Sequence, residues 1–189
     1  MRLHTAILAA GLALPGLAAP AAPARYLLQP DISVVSFETG GQTPVSGTFP
    51  VRSAEIVLDF DRLANCSIAV VLDVSGARTS FPFAAEAMKS ASVLDAREYP
   101  QMRFTSESVA ATKTGARVKG RLTIRGVTRP VTLEAAILRQ AGTGKGDLSH
   151  LTVRLTGTVR RSDYGATGWD NMVSDEVRIT ITARIARDG

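Results

Sequence analysis

The feature that most constrains this chain is a period of two. In Val177-Arg178-Ile179-Thr180-Ile181-Thr182-Ala183-Arg184-Ile185 every odd position is apolar and every even one is polar. Successive side chains of a β-strand point to opposite faces, so the segment has one buried and one wet face. Leu151 to Thr156 repeats the pattern and runs on through Val159. Val118, Leu122 and Ile124 alternate with basic and hydroxyl side chains. Val131, Leu133, Ala135 and Ile137 carry a further strand. Ile56, Leu58 and Phe60, then Cys66, Ile68, Val70, Leu72 and Val74, carry earlier ones. The β-branched content favours strands over helices.

Turn signals separate these runs. Arg125-Gly126-Val127-Thr128 reads as a tight hairpin, and Asp61 to Asn65 and Ser75 to Arg78 punctuate others. The pattern predicts about eight strands, near 32–38, 44–51, 54–61, 66–75, 101–109, 116–125, 128–139, 149–161 and 174–186, two of the early ones being one bent strand. Pro44 and Pro50 fit an edge or a bend there. Ala84 to Lys89 is rich in helix formers and predicts one short helix in a long connection. Many alternating strands with short turns make an all-β sandwich or barrel. A closed antiparallel barrel removes the exposed edges and leaves room for packed side chains or one small ligand.

The start of the chain has a different character. Met1 to His4 is short and positive, Thr5 to Ala19 is almost wholly apolar, and Ala22-Pro23-Ala24 offers small residues at a cleavage site. That order reads as a secretory signal peptide over residues 1–24, with residues 25–189 as one mature domain. The expected fate of the mature domain is therefore export. The apolar run is short for a membrane span and is interrupted by Gly11, Pro15 and Gly16.

Several chemistries are short of residues. Cys66 is the one cysteine in 189 residues, so no internal disulfide can form; of the two histidines His4 leaves with the signal segment, and His150 and Cys66 alone cannot build a His- or Cys-based zinc site. A Ser/His/Asp triad would have to use His150, which follows the Gly-rich stretch Ala141 to Asp147, read as a flexible loop. Gly144-Lys145 in that stretch is not a phosphate loop, because Arg139 stands where the first glycine is needed and Gly146 where Ser or Thr is needed. Asp163, Asp175 and Glu176 are the best-placed acids, and their expected work is turn and register fixing. The charge is modestly basic, with 22 Lys and Arg against 17 Asp and Glu. Basic residues alternate along strands, as on a solvated outer face, with a weaker reading of attraction to a membrane surface. Nothing points to nucleic acid.

Four segments in order carry a resemblance: Val93 to Phe104, Val118 to Leu133, Arg161-Ser162-Asp163-Tyr164-Gly165, and Val173 to Val177. Tyr26-Leu27-Leu28, Val34 to Phe37 and Val45 to Phe49 fit the start. Together they resemble the YceI-like family of lipid- and polyisoprenoid-binding proteins, over essentially all of the mature chain. The resemblance implies a lipocalin-like barrel, exported to the periplasm, with an isoprenoid chain in its core. Ile32 stands where the family often has His after Asp, and the helix segment Ala84 to Ser90 carries only Lys89 as a positive charge.

The expected ligand wall is the inward set Phe37, Phe49, Leu58, Phe60, Leu72, Phe104, Leu122, Ile124, Leu133, Val153, Leu155, Ile179 and Ile181. The helix and mouth add Phe81, Phe83, Met88, Leu94, Tyr164, Trp169 and Met172. A barrel needs inward apolar residues simply to fold, so each is also a plain core candidate. The expected function is to carry or sequester a long apolar isoprenoid-type lipid, a polyisoprenoid or a quinone, with no catalytic residues, no metal and no cofactor. The alternative is an envelope interaction module, or a partner of a membrane redox protein, in which lipid binding is incidental. An enzyme acting on an apolar substrate is the third reading, and the lack of His and Cys pairs argues against it.

Overall fold

The computed structural model describes residues 22–138, 144 and 146–189. Most of the segment read as an export signal, and most of the Gly-rich stretch before His150, lie outside them. Eleven strands share one sheet, and every pairing is antiparallel. They are β1 (Ala24–Leu28), β2 (Val34–Gly41), β3 (Ser46–Phe49), β4 (Val51–Leu58), β5 (Ser67–Asp73), β6 (Arg78–Thr79), β7 (Gln101–Thr112), β8 (Gly115–Ile124), β9 (Val127–Leu138), β10 (His150–Arg160) and β11 (Val173–Arg187). One helix, α1 (Pro82–Lys89), lies between β6 and β7.

The order β1-β4-β5-β7-β8-β9-β10-β11 returns to β1, so eight strands close a barrel. β2, β3 and β6 extend the wall upward from β11. The expected bent strand is β3 with β4, broken at Pro50, and a 3-10 turn at Pro30–Ile32 separates β1 from β2. The sequence expectation differs in several places: β1 and β6 lie outside the expected ranges, and the strand expected at 101–109 runs on to Thr112. The strand expected at 32–38 runs over Val34–Gly41, and the one expected at 54–61 ends at Leu58. Asp59 ends it by accepting the Asp61 N–H at 3.0 Å, the Arg62 N–H at 2.8 Å and the Asn65 amide at 2.7 Å. The Asn65 amide leads in holding this buried carboxyl below the ordinary Asp value, with the two N–H groups adding to it.

The remaining connections follow from local chemistry. Arg125 and Gly126 both have positive φ, 52° and 73°, the two-residue turn whose twist matches a hairpin. Arg125 also donates from Nη1 to the Val93 and Gly165 carbonyls, tying the hairpin to two neighbouring loops. Asp175 accepts from the Ser162 N–H and hydroxyl, both at 2.8 Å, and from Arg160 Nε at 3.0 Å. Burial works against its ionised form, yet these donors outweigh burial and hold the carboxyl below the ordinary value. The expectation of register fixing thus fits Asp175. Asp163 contributes only its carbonyl, to Arg129, and Glu176 stands opposite Arg160 in the β10–β11 register.

Closure depends on β11. One edge pairs with β10 from Glu176 to Ala186. The other edge is shared: Ile185 to Arg187 pairs with β1, and Val177 to Thr182 with β2. Ser33 spans the break. Its hydroxyl donates to the Gln29 carbonyl at 2.7 Å and accepts the Arg184 N–H at 3.0 Å, while the Gln29 N–H donates to the Arg184 carbonyl at 2.8 Å. A side chain thus replaces a missing strand residue in the ladder.

Ser33→Ala removes one partner of the Arg184 N–H. The expected loss of stability is about 1 kcal/mol, the net worth of one such bond. Chemical unfolding followed by circular dichroism checks it, together with faster amide exchange at Arg184.

Candidate functional site

The barrel is hollow. Side chains that face inward from the eight ring strands line a cavity of about 620 Å³. Its walls are Leu, Ile and Val from every strand of the ring, joined by Phe60 and Phe104. Of the expected wall residues, Leu58, Phe60, Leu72, Phe104, Leu122, Leu133, Val153, Leu155, Ile179 and Ile181 border it. Polar groups gather at the lower end, beside Thr114, Asp147 and His150.

A second cavity of about 460 Å³ lies above it, between the barrel end and α1. Phe37, Phe49, Met88, Leu94, Ile124, Tyr164, Trp169 and Met172 border it, together with Phe83 and Leu72, Leu122 and Ile179. The rings of Phe37 and Phe49 pack at 5.1 Å between centroids. Phe83 is 88% exposed and Trp169 53%, so large aromatics rim the upper mouth. Trp169 is held in the left-handed region, φ 62°, and its carbonyl accepts the Met172 and Val173 N–H groups. Phe81 is the one expected residue that borders neither cavity; it is half-exposed where the chain enters α1.

The polar groups near the lumen are already engaged in architecture. Arg161 borders the upper cavity, but its guanidinium donates to the carbonyls of Ala166, Gly168, Val173 and Ser174 at 2.6–3.1 Å. It ties the loop between β10 and β11, and four of its five N–H donors are used in doing so. At the lower mouth Ser149 Oγ donates to Asp147 at 2.6 Å, and His150 Nδ1 lies 3.1 Å from that hydroxyl. A triad needs His between acid and Ser; here Ser stands between them, its hydroxyl donating to the acid, and all three are exposed. The Ser149 hydroxyl and N–H hold Asp147 below its ordinary value. Tyr26 is buried by the lower core, which pushes its phenol up, and it donates to the Leu148 carbonyl at 2.9 Å. Among the described residues no group of three or more His, Cys, Asp or Glu could hold a metal ion. What this arrangement can do chemically is exclude water from a hydrocarbon.

Two glycines shape the lumen and were not among the expected residues. A Cβ on Gly120 would stand 2.7 Å from the Phe104 ring and would meet the Thr105 carbonyl. A Cβ on Gly47 would stand 2.7 Å from the Phe37 ring. Each cavity thus has a Phe laid across a bare stretch of neighbouring strand. A glycine inside a strand pattern is the signal that marks such close approaches.

The arrangement is shared with known proteins. A family model described as a YceI-like domain matches residues 26–185. A protein named YceI from Salmonella arizonae is 27% identical over 142 residues, covering 75% of this chain and 74% of that protein. The crystal structure of Burkholderia cenocepacia BcnA superposes with a TM-score of 0.73 at 22% identity, covering 83% of this chain and 98% of that one. A polyisoprenoid binding domain from Saccharophagus degradans superposes with a TM-score of 0.61 at 15% identity, covering 87% and 99%. The structural likenesses show the same barrel.

Gly120→Ala is expected to cost about 1–3 kcal/mol by forcing the Phe104 ring and the strand apart. Phe104→Leu in the same background is expected to recover part of that loss. A double-mutant cycle by chemical unfolding measures the coupling.

Proposed function

Because the chain belongs to the YceI-like family and encloses an apolar lumen, we propose that it takes up the hydrocarbon tail of an isoprenoid-type lipid, a polyisoprenoid or a quinone, and carries or sequesters it in the periplasm. The observation that carries the reading is the lumen: two adjoining cavities whose walls are hydrocarbon and whose polar residues stand at the ends or are bonded elsewhere. Each is within the range of about 300–1,000 Å³ for small-molecule sites. Each buried methylene contributes about 0.8 kcal/mol. Roughly ten buried carbons would offer about 8 kcal/mol, before the cost of immobilising a flexible chain. Binding of this kind needs no cofactor and no catalytic group, and this reading makes the protein a binder and not an enzyme. The likeness to the polyisoprenoid binding domain from Saccharophagus degradans supports the same ligand class.

The exposed rim of Phe83 and Trp169 fits delivery to a membrane surface. Aromatic side chains favour the boundary between water and lipid, and this rim opens directly onto the upper cavity.

Native mass spectrometry of the protein purified from its own envelope without detergent, followed by organic extraction, tests the ligand. A stoichiometric isoprenoid or quinone is expected. An empty protein that also refuses added prenyl lipids would sink the reading and leave the inward residues as plain core. For the rim, replacing both Phe83 and Trp169 by Ser is expected to slow lipid transfer to vesicles severalfold; unchanged transfer would remove the membrane contact.

A further inference from the structure

The two cavities are separated by a belt. Val35, Leu72, Met102, Leu122 and Ile179 border both. They come from opposite sides of the ring. Leu72 and Met102 are direct cross-strand partners on β5 and β7, and Leu122 is on β8. Val35 and Ile179 face them from the adjoining strands β2 and β11. Val35, Met102 and Leu122 are 7%, 5% and 8% exposed. Phe104 below the belt and Ile124 above it are only half-buried, because lumen lies in front of them. The two cavities therefore meet at these five side chains.

We propose that this belt sorts prenyl chains by length, with Met102 as the residue that yields. The inference rests on the lipid-binding reading above. A short chain lies wholly in the lower, aliphatic cavity. A longer one has to pass the belt to place its remaining carbons in the upper cavity. Val35 is stiff at χ1, being β-branched. Met102 is unbranched with three rotatable side-chain bonds, so it can swing aside at small cost. Chain length is thus read by whether the gain beyond the belt exceeds the cost of opening it.

Trp169 is the one tryptophan of the chain and borders only the upper cavity, so its fluorescence reports passage of the belt. The test uses the mature protein with farnesol as the short probe and solanesol as the long one. Affinity is measured by calorimetry and passage by Trp169 emission. In the wild type both are expected to bind, and only solanesol to shift the emission. Met102→Phe narrows the belt; it is expected to weaken solanesol by about tenfold or more and to weaken farnesol severalfold less than that, a typical effect of a few atoms in an apolar pocket. Equal weakening of both, unchanged solanesol affinity, or a Trp169 shift with farnesol alone would overturn the proposal. Should Met102→Phe lose farnesol binding with its fold, Met102→Ala decides: tighter solanesol binding supports the belt, and unchanged binding overturns it. A wild type that takes up neither alcohol overturns the lipid-binding reading itself, and the belt with it, an outcome distinct from solanesol binding that ignores Met102.

Discussion

Everything in this molecule hangs on the edge that β11 shares between β1 and β2. An open sheet of this length would present two rows of unpaired N–H and C=O groups to water and to other chains. Closing the ring pairs them. It also lets the centre stay hollow, because the wall is held by ladder bonds around its circumference. The packed clusters lie at separate places: Tyr26, Ile56, Leu151 and Ile185 at one end, Val118, Leu122, Val131, Leu133 and Tyr164 across the β8–β9 wall, and Val74, Leu94, Ala96 and Met102 under the long connection. The Ser33 hydroxyl and the Gln29 N–H carry the seam over its break, so the ring is continuous although no single strand spans its closing side.

The polar chemistry of the chain serves that architecture. Arg161 binds four carbonyls, Asp59 three donors, and Asp175 the Ser162 turn. Basic residues on the outer face meet acids across strands, as Arg117 meets Glu134 at 2.6 Å. What remains toward the lumen is mostly hydrocarbon. A site of that composition discriminates by the length and shape of an apolar chain, because hydrophobic burial scales with area and has no direction.

Much of this was legible in the residues. The alternation from Val177 to Ile185 places Ile179, Ile181 and Ile185 on the inner face, and they line the lower cavity. Arg125-Gly126 reads as a hairpin and is one; Ala84 to Lys89 reads as a helix and lies in α1. β1 was legible only through family resemblance, for a physical reason: Leu27 points outward and is 51% exposed, so Tyr26-Leu27-Leu28 shows no alternation. The division of the lumen was not legible at all. It depends on how residues more than a hundred positions apart, such as Leu72 and Ile179, face one another across the ring, and period-two patterning carries no information about cross-barrel distance. Phe81 illustrates the same limit, since an aromatic off the regular strands can turn toward the cavity or toward water, and this one turns to water.

The seam has a consequence for the order of folding. Its outermost pair joins Tyr26 to Arg187, residues separated by nearly the whole chain. Pairings of such separation are slow to form, because the long loop must be closed before any contact rewards it. The hairpins from β7 to β11 can assemble locally, but the enclosed space does not exist until the final strand has met the first. Until then the inner faces of those hairpins stand open along their length. A ligand present at that stage meets a sheet; one arriving afterwards meets a closed ring and has to enter through its ends.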